Sequence, residues 1–326
     1  MKNFWEKLPK PFFCLAPMAD VTDCAFRQII VKYGKPDVFF TEFVSADGLY
    51  SIGRDKLLID LKYSENEHPI VAQIFGSNID NIKTSSAFCR ELGFDGIDVN
   101  MGCPDKSIEK QAAGAAAMKD LKHAKEVIKA AKEGAPNLPI SVKTRIGYNK
   151  NEIETWIPAL LSEKLAALTI HLRTRKEMSK VPAHWEIMSK IVEMRNKISK
   201  DTLIIGNGDI LDLNDAKQKI KETGCDGIML GRAIFGNPWL FSRGRRSGLE
   251  NSKRPDLKER LRVMLEHTKL FEKMLSKYKN FAIMKKHYKA YVNGFDGAKE
   301  LRMELMEAEN AQQVEKIIND FLVKIC

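Results

Sequence analysis

The chain has 326 residues, enough to bury a full core and to hold one large domain with a smaller one. Hydrophobic residues at 44% and charged residues at 29% exclude a disordered chain, and no apolar run reaches the roughly 20 residues that a membrane span needs. Fifty-three Lys and Arg against 43 Asp and Glu leave a formal charge of +10, which favours an anionic partner such as nucleic acid.

The first residues, MKNFWEKLPKPFF, lack the apolar region of a secretory signal, so a cytoplasmic protein is expected. The six cysteines, Cys14, Cys24, Cys89, Cys103, Cys225 and Cys326, include no C-x-x-C pair, so reduced thiols and no bound metal are expected.

In chain order, strands are predicted at 12–16, 38–41, 70–75, 96–100, 140–143, 168–171, 203–206 and 227–230. Several are nearly continuous apolar strings (FFCLA, IVAQIF, LIIG, GIML), the pattern of parallel strands covered on both faces. Helical periodicity fills the intervals, as at 80–92, 124–131, 185–198 and 212–223, with Gly or Pro at most joints. Eight such units predict an α/β fold of the (β/α)₈ TIM-barrel type. A doubly wound open sheet is the competitor, weakened because no G-x-G-x-x-G follows the first strand.

Beyond Trp239 the strand signal ends. Residues 241–256 read as a linker and everything after as helix, so the expected domains are a barrel over 1–243 and an all-helical domain over 244–326. In 257–279, Leu261, Met264, Leu265, Thr268, Phe271, Leu275 and Tyr278 share one helical face, and Lys258, Arg262, Lys269, Lys273 and Lys277 share the other. Residues 253–289 hold twelve Lys and Arg against four Asp and Glu, a net +8 that is most of the chain's excess. A solvated helix face would explain an isolated stripe. This density, interleaved with Tyr278, Phe281, Tyr288 and Tyr291, points instead to phosphate binding.

Barrel enzymes build their sites from strand C-termini and the loops that follow. Here those ends present Ala16-Pro17-Met18, Glu42, Gln73, Asn100, Lys143, His171, Asn207-Gly208-Asp209 and Gly231-Arg232, a polar ring on apolar strands. The last two loops, GNGDI and LGRAIF, have the glycines and the cation that a phosphate requires, whether that of a cofactor or of a sugar. Cys103, in NMGCPD, is the one cysteine predicted in a loop at the barrel mouth, where a thiol of ordinary pKa can donate a proton. No Ser-His-Asp or H-E-x-x-H pattern supports hydrolysis or zinc chemistry.

These motifs together resemble the tRNA-dihydrouridine synthase family, most nearly its bacterial B-type branch. The markers are LAPMADVTDCAFR, TEFVSADGL, QIFGSN, GIDVNMGCPDKS, SVKTRIGY, IHLRTR, IGNGDI, GIMLGRAIFGNPW and, in the helical part, KKHYKAYVNGFDGAKELR. The resemblance implies FMN as cofactor, NADPH or NADH as reductant, and reduction of the C5–C6 bond of a uridine in the tRNA D-loop. By position it assigns Pro17, Met18, Ala19, Gln73, Lys143 and His171 to the flavin ring, and Asn207, Gly208, Asp209, Gly231 and Arg232 to the FMN ribityl phosphate. It assigns Asn100 to the uracil, Arg173, Lys285 and Lys286 to the RNA, and Cys103 to proton donation. A monomer with no membrane partner is expected.

Three residues depart from the family pattern: Leu172 where glycine is usual, Glu177 where glutamine is common, and His184 where an acidic residue precedes Trp185. They bear on substrate binding and leave Cys103 and the phosphate loops untouched. Two rival readings remain at this level. A dihydroorotate dehydrogenase-like FMN barrel would share the phosphate loops but gives no reason for a basic helical appendage. A non-catalytic tRNA-binding scaffold gives no reason to keep Cys103, Lys143 and His171.

Overall fold

The computed structural model describes residues 3–242 and 255–325. By compactness these form two units, one of Met1–Met18 with Pro36–Arg232 and one of Ala19–Lys35 with Ala233–Cys326. The expected cut between 243 and 244, and most of the expected linker, lie outside the described residues.

The first unit is the barrel. Strands β1 (Phe12–Leu15), β2 (Phe39–Phe40), β3 (Val44–Ser45), β4 (Ile70–Phe75), β5 (Gly96–Met101), β6 (Ile140–Arg145), β7 (Ala167–His171), β8 (Leu203–Asn207) and β9 (Gly227–Leu230) are joined in parallel. The order β1-β9-β8-β7-β6-β5-β4-β2 closes through a bridge between Cys14 and Val38, and β3 is an extra two-residue pairing on β4. The (β/α)₈ barrel expected from the sequence is therefore the fold.

Inward residues alternate along every strand. At the N-terminal end of the barrel the interior is apolar: Phe12, Phe40, Val71, Ala167, Leu203 and Ile205 pack together, and Trp5 from the preceding turn caps them. Two residues on, the same inward parity brings polar groups, because Gln73, Asp98 and Ser141 are register partners on β4, β5 and β6. A further step along, Asn100 pairs with Lys143, and Arg145 pairs with His171. The apolar strings concealed this alternation because helices cover the outward positions too.

Helix α1 (Cys24–Gly34) belongs to the second unit, whereas α2 (Arg54–Leu57), α3 (Ile79–Glu91), α4 (Lys106–Glu109), α5 (Leu121–Gly134), α6 (Ile153–Leu161), α7 (Met188–Ile198) and α8 (Leu213–Thr223) belong to the barrel. Their starts follow side-chain capping: Asn78, Asp120 and Asp212 each accept a backbone N–H from the first turn of α3, α5 and α8. Gly224, at φ +72°, ends α8 in the left-handed conformation that glycine adopts without strain.

The second unit holds α1 with α9 (Leu257–Leu275), α10 (Met284–Tyr291), α11 (Ala298–Glu307) and α12 (Ala311–Ile325). On α9 the expected inner face is buried at Leu261, Met264, Thr268, Phe271 and Leu275 and half-buried at Leu265, and the cations expected opposite, Lys258, Arg262, Lys269, Lys273 and, past the helix end, Lys277, are exposed. Burial of a side chain such as Phe271 stabilises the unit by about 1.5–3 kcal/mol. Tyr278 breaks the expectation: it is exposed, because α9 ends at Leu275 and the chain turns before reaching it. Tyr288 and Tyr291 are fully buried, so two of the four aromatics read as interleaved with the basic stripe are core residues instead.

Candidate active site

A cavity of about 260 Å³ opens at the C-terminal end of the barrel strands. Pro17, Met18, Lys143, His171, Asn207, Gly208, Asp209, Gly231 and Arg232 line it, together with Ala16, Ser179, Ile210 and Met229. With Ala16, ten of the residues singled out at the strand ends thus meet in one place. Gln73 and Asn100 lie beneath, buried in the barrel interior. Ala19, Lys285 and Lys286 belong to the second unit.

Glycine shapes the end of β8 and the loop after it. A Cβ on Gly206 would fall 2.6 Å from the Trp185 ring, and one on Gly208, at φ +133°, would fall 2.8 Å from Ala183. Trp185 completes this packing by donating its Nε1–H to the Gly208 carbonyl at 2.9 Å. Gly231 differs: a Cβ there would meet only Ala16 and Met18, at 3.6 and 3.8 Å, so a side chain would fit the protein but project into the cavity. Beside it stands Arg232, with its side chain 64% exposed. A cradle without side chains next to an exposed guanidinium, held by Asp209, is the donor set that suits a phosphate, and a phosphorylated cofactor fits the residues present.

Electrostatics divide the cavity. Lys143 is pushed down to about 8 by burial first and by the neighbouring Arg145 second. His171 is held well below its ordinary range, chiefly by burial and then by Arg145 and Lys143, so its ring is neutral. Its Nε2 lies 3.2 Å from an Arg173 nitrogen, and a guanidinium only donates, so Nε2 accepts and Nδ1 carries the proton. Arg173 is itself buried, donating to the Val181 carbonyl and to the Asp209 carboxylate.

Cys103 follows β5 in a tightly held turn. Asn100 Oδ1 accepts the N–H groups of Gly102 at 3.1 Å and Cys103 at 2.9 Å. Arg145 Nε donates to the Gly102 carbonyl at 2.8 Å, and the Ala115 N–H donates to the Cys103 carbonyl at 2.9 Å. Space at Gly102 is tight, since a Cβ would come within 3.1 Å of the Thr144 backbone. Of the five described cysteines, all free, Cys103 alone is only half-buried. Burial raises its pKa above the ordinary thiol range, against the Asp105 N–H and the Lys143 and Arg145 charges, so the group is a protonated thiol at neutral pH.

Sequence reading missed Arg145 and Asp98. Both lay within reach of the parity rule: Arg145 is two residues past Lys143, and Asp98 two before Asn100, each on the same inward face. The departures Glu177 and His184 pair with one another, Glu177 Oε1 lying 3.0 Å from His184 Nε2, and His184 Nδ1 lies 3.2 Å from Glu186. Leu172 is fully buried. Among the described residues, no group of His, Cys, Asp and Glu is arranged to hold a metal, and no helix is long and apolar enough to cross a membrane.

A parallel barrel with a polar cavity at the C-terminal ends of its strands and a protonated thiol on the turn after β5 has the build of a (β/α)₈ enzyme. Solved structures share that fold: an old yellow enzyme homologue from Zymomonas mobilis superposes with a TM-score of 0.50 at 11% identity, over 70% of this chain and 86% of its own. Morphinone reductase in complex with tetrahydroNAD does so with a TM-score of 0.50 at 14% identity, over 74% and 88%. The family profile "Dihydrouridine synthase (Dus)" matches residues 14–325. A probable tRNA-dihydrouridine synthase 2 of Bacillus subtilis is 41% identical over 98% of this chain and 97% of its own length. A probable tRNA-dihydrouridine synthase of Staphylococcus aureus is 40% identical over 98% and 96%. The chain belongs to the dihydrouridine synthase family, oxidoreductases that act on uridine in tRNA.

Proposed function

We propose that this protein is an FMN-dependent tRNA-dihydrouridine synthase that reduces a D-loop uridine, with NADPH or NADH as the source of electrons and Cys103 as the proton donor. One observation carries the reading: Cys103 is a protonated, half-buried thiol on a turn clamped by Asn100, Arg145 and Ala115. A thiol that must give a proton has to be neutral and fixed in place, and this one is both.

The cradle of Asn207, Gly208, Gly231 and Arg232 would hold the phosphate of FMN, with Asp209 setting the position of Arg232. Pro17, Met18, Ala19, Gln73, Lys143 and His171 would surround the ring. When bound there, reduced flavin would be the source of the hydride for C6 of the uracil. Cys103 then delivers its proton to C5, while Asn100 orients the base. Lys143, with its pKa near 8, is mostly cationic at pH 7 and can offset negative charge beside it. Neutral His171 offers its Nδ1–H without adding another positive charge.

Extruding a base from folded tRNA costs about a few kcal/mol, which phosphate contacts must offset. The exposed lysines of the helical unit, with Lys285 and Lys286 on α10, are assigned that role. Arg173 would serve the substrate loop indirectly, through Asp209, Val181 and His171. The protein would act as a cytoplasmic monomer, with the barrel as catalytic domain and the helices as tRNA-binding domain. Incubating the purified protein with NADPH and tRNA from a strain lacking dihydrouridine tests the proposal. Nucleoside mass spectrometry should find new dihydrouridine, and a colourless protein that takes up no FMN and yields none refutes it.

A further inference from the structure

The interior of the barrel holds a chain of hydrogen bonds that begins at a carboxylate and ends at the backbone of Cys103. Ser141 Oγ donates to Asp98 Oδ1 at 2.5 Å, and Gln73 Nε2 donates to Asp98 Oδ2 at 2.7 Å. Asn100 Nδ2 donates to Gln73 Oε1 at 2.9 Å. Asn100 Oδ1 then accepts from Gly102 and Cys103. Asp98 and Gln73 are fully buried, and Ser141 and Asn100 nearly so.

The direction of this chain is set at both ends: burial raises the Asp98 pKa only to about 6, so it is ionised at pH 7, and the two backbone N–H groups at Asn100 can only donate. An ionised carboxylate only accepts hydrogen bonds, so it draws the NH₂ group of Gln73 toward itself. That leaves the Gln73 oxygen to face Asn100, which must answer with its own NH₂. The Asn100 oxygen is thereby turned to the two N–H groups of the Cys103 turn. Reversing either amide would set donor against donor, and acceptor against acceptor, among buried groups.

We propose that Asp98 is a positioning residue for the Cys103 turn, acting through Gln73 and Asn100 with Ser141 as its second anchor. Asp98 touches neither substrate nor cofactor in this scheme. Its task is to anchor the Gln73 amide in the one polarity that lets Gln73 hold Asn100 against the two N–H groups of the Cys103 turn. The importance of that positioning for turnover rests on the proposed role of Cys103, but the positioning itself does not.

The experiment separates the two. Asp98→Ala removes the acceptor, whereas Asp98→Asn can still offer Gln73 an oxygen and turn its own NH₂ to the Ser141 hydroxyl. Iodoacetamide labelling, followed by peptide mass spectrometry, reads the Cys103 peptide alone, without flavin turnover. Asp98→Ala should label Cys103 at least fivefold faster than the parent chain, and Asp98→Asn should stay within about twofold of it. Dihydrouridine formation should fall at least tenfold in Asp98→Ala and be largely rescued in Asp98→Asn. Should Asp98→Ala not fold, Gln73→Leu cuts the chain one link further on and should show the same acceleration. Parental labelling rates in folded Asp98→Ala or Gln73→Leu, or equal losses in the Ala and Asn variants, would overturn the proposal. Faster labelling with undiminished product would instead preserve the positioning role and remove Cys103 from the chemistry.

Discussion

The guanidinium of Arg173 reaches the carboxylate of Asp209 from inside the protein, its side chain 3% exposed against 32% for its partner. The other carboxylate oxygen of Asp209 takes Arg232 at 2.5 Å. Burial alone would raise the pKa of Asp209, but the Ala183 N–H and the Arg173 guanidinium outweigh it and hold the carboxyl below its ordinary range. One acid thus joins an interior cation to one at the surface.

The two arginines should therefore respond differently. Asp209→Ala leaves Arg173 buried without its counter-ion and should destabilise the fold by about 1–3 kcal/mol. Arg232→Ala should barely move the melting temperature, since that side chain is largely exposed. It should weaken FMN binding by about tenfold or more, the worth of a charge-assisted phosphate contact. Flavin fluorescence titration and thermal melts of both variants check the contrast.

Two buried histidines give the helical unit an acid weakness. His267 and His287 sit edge to face, their ring centroids 4.6 Å apart, and Phe26 packs on both. Burial depresses both, His287 to about 3, so the fold binds these rings in neutral form. An unfolded histidine titrates near ~6.5. Their contribution is therefore fully present above that pH and is lost as pH falls from there toward 3. His287→Phe should flatten the decline of melting temperature between pH 6.5 and 4; an unaltered slope would mean the acid loss arises elsewhere.

The pair that departs from the family pattern predicts the opposite sign. His184 is raised, first by its hydrogen bond to Glu177 and against partial burial. Whatever the pair contributes is present below the ordinary histidine range and fades as pH rises through the folded-state value. Glu177→Gln should lower the His184 pKa toward that of a free imidazole, as read by NMR titration, with little effect on the melt at pH 8. A His184 titration that does not move would mean that the two side chains are not paired in solution.

The basic stretch running from α9 into α10 offers a test of nucleic-acid binding. Replacing Lys273, Lys277, Lys285 and Lys286 with Glu should weaken tRNA binding at least tenfold and flatten its dependence on salt. Each lost phosphate contact removes about 0.7–0.9 from the slope of log K against log salt. Filter binding across a salt series provides the measurement, and an unchanged slope would leave these lysines as solvated surface.

Much of this was legible in the sequence because the signals were local. Eight apolar runs at regular spacing sufficed for the barrel, and polar residues at the run ends located most of the cavity lining. What escaped notice depended on parity inside a run. Asp98 and Arg145 look unremarkable within GIDVN and SVKTR, and their meaning appears only when neighbouring strands fix the register. Long-range pairing also explains α1: adjacent in sequence to β1, it packs on α9 in the second unit. The burial of Tyr288 and Tyr291 was hidden for a related reason, since a basic face and an aromatic core alternate along α10 at helical spacing.

The account turns on the thiol of Cys103. Cys103→Ala, loaded with FMN and supplied with NADPH and unmodified tRNA, should bleach its flavin normally yet form dihydrouridine at least a hundredfold more slowly, the scale of a lost general acid. Nucleoside mass spectrometry that finds dihydrouridine accumulating at the parental rate would contradict it.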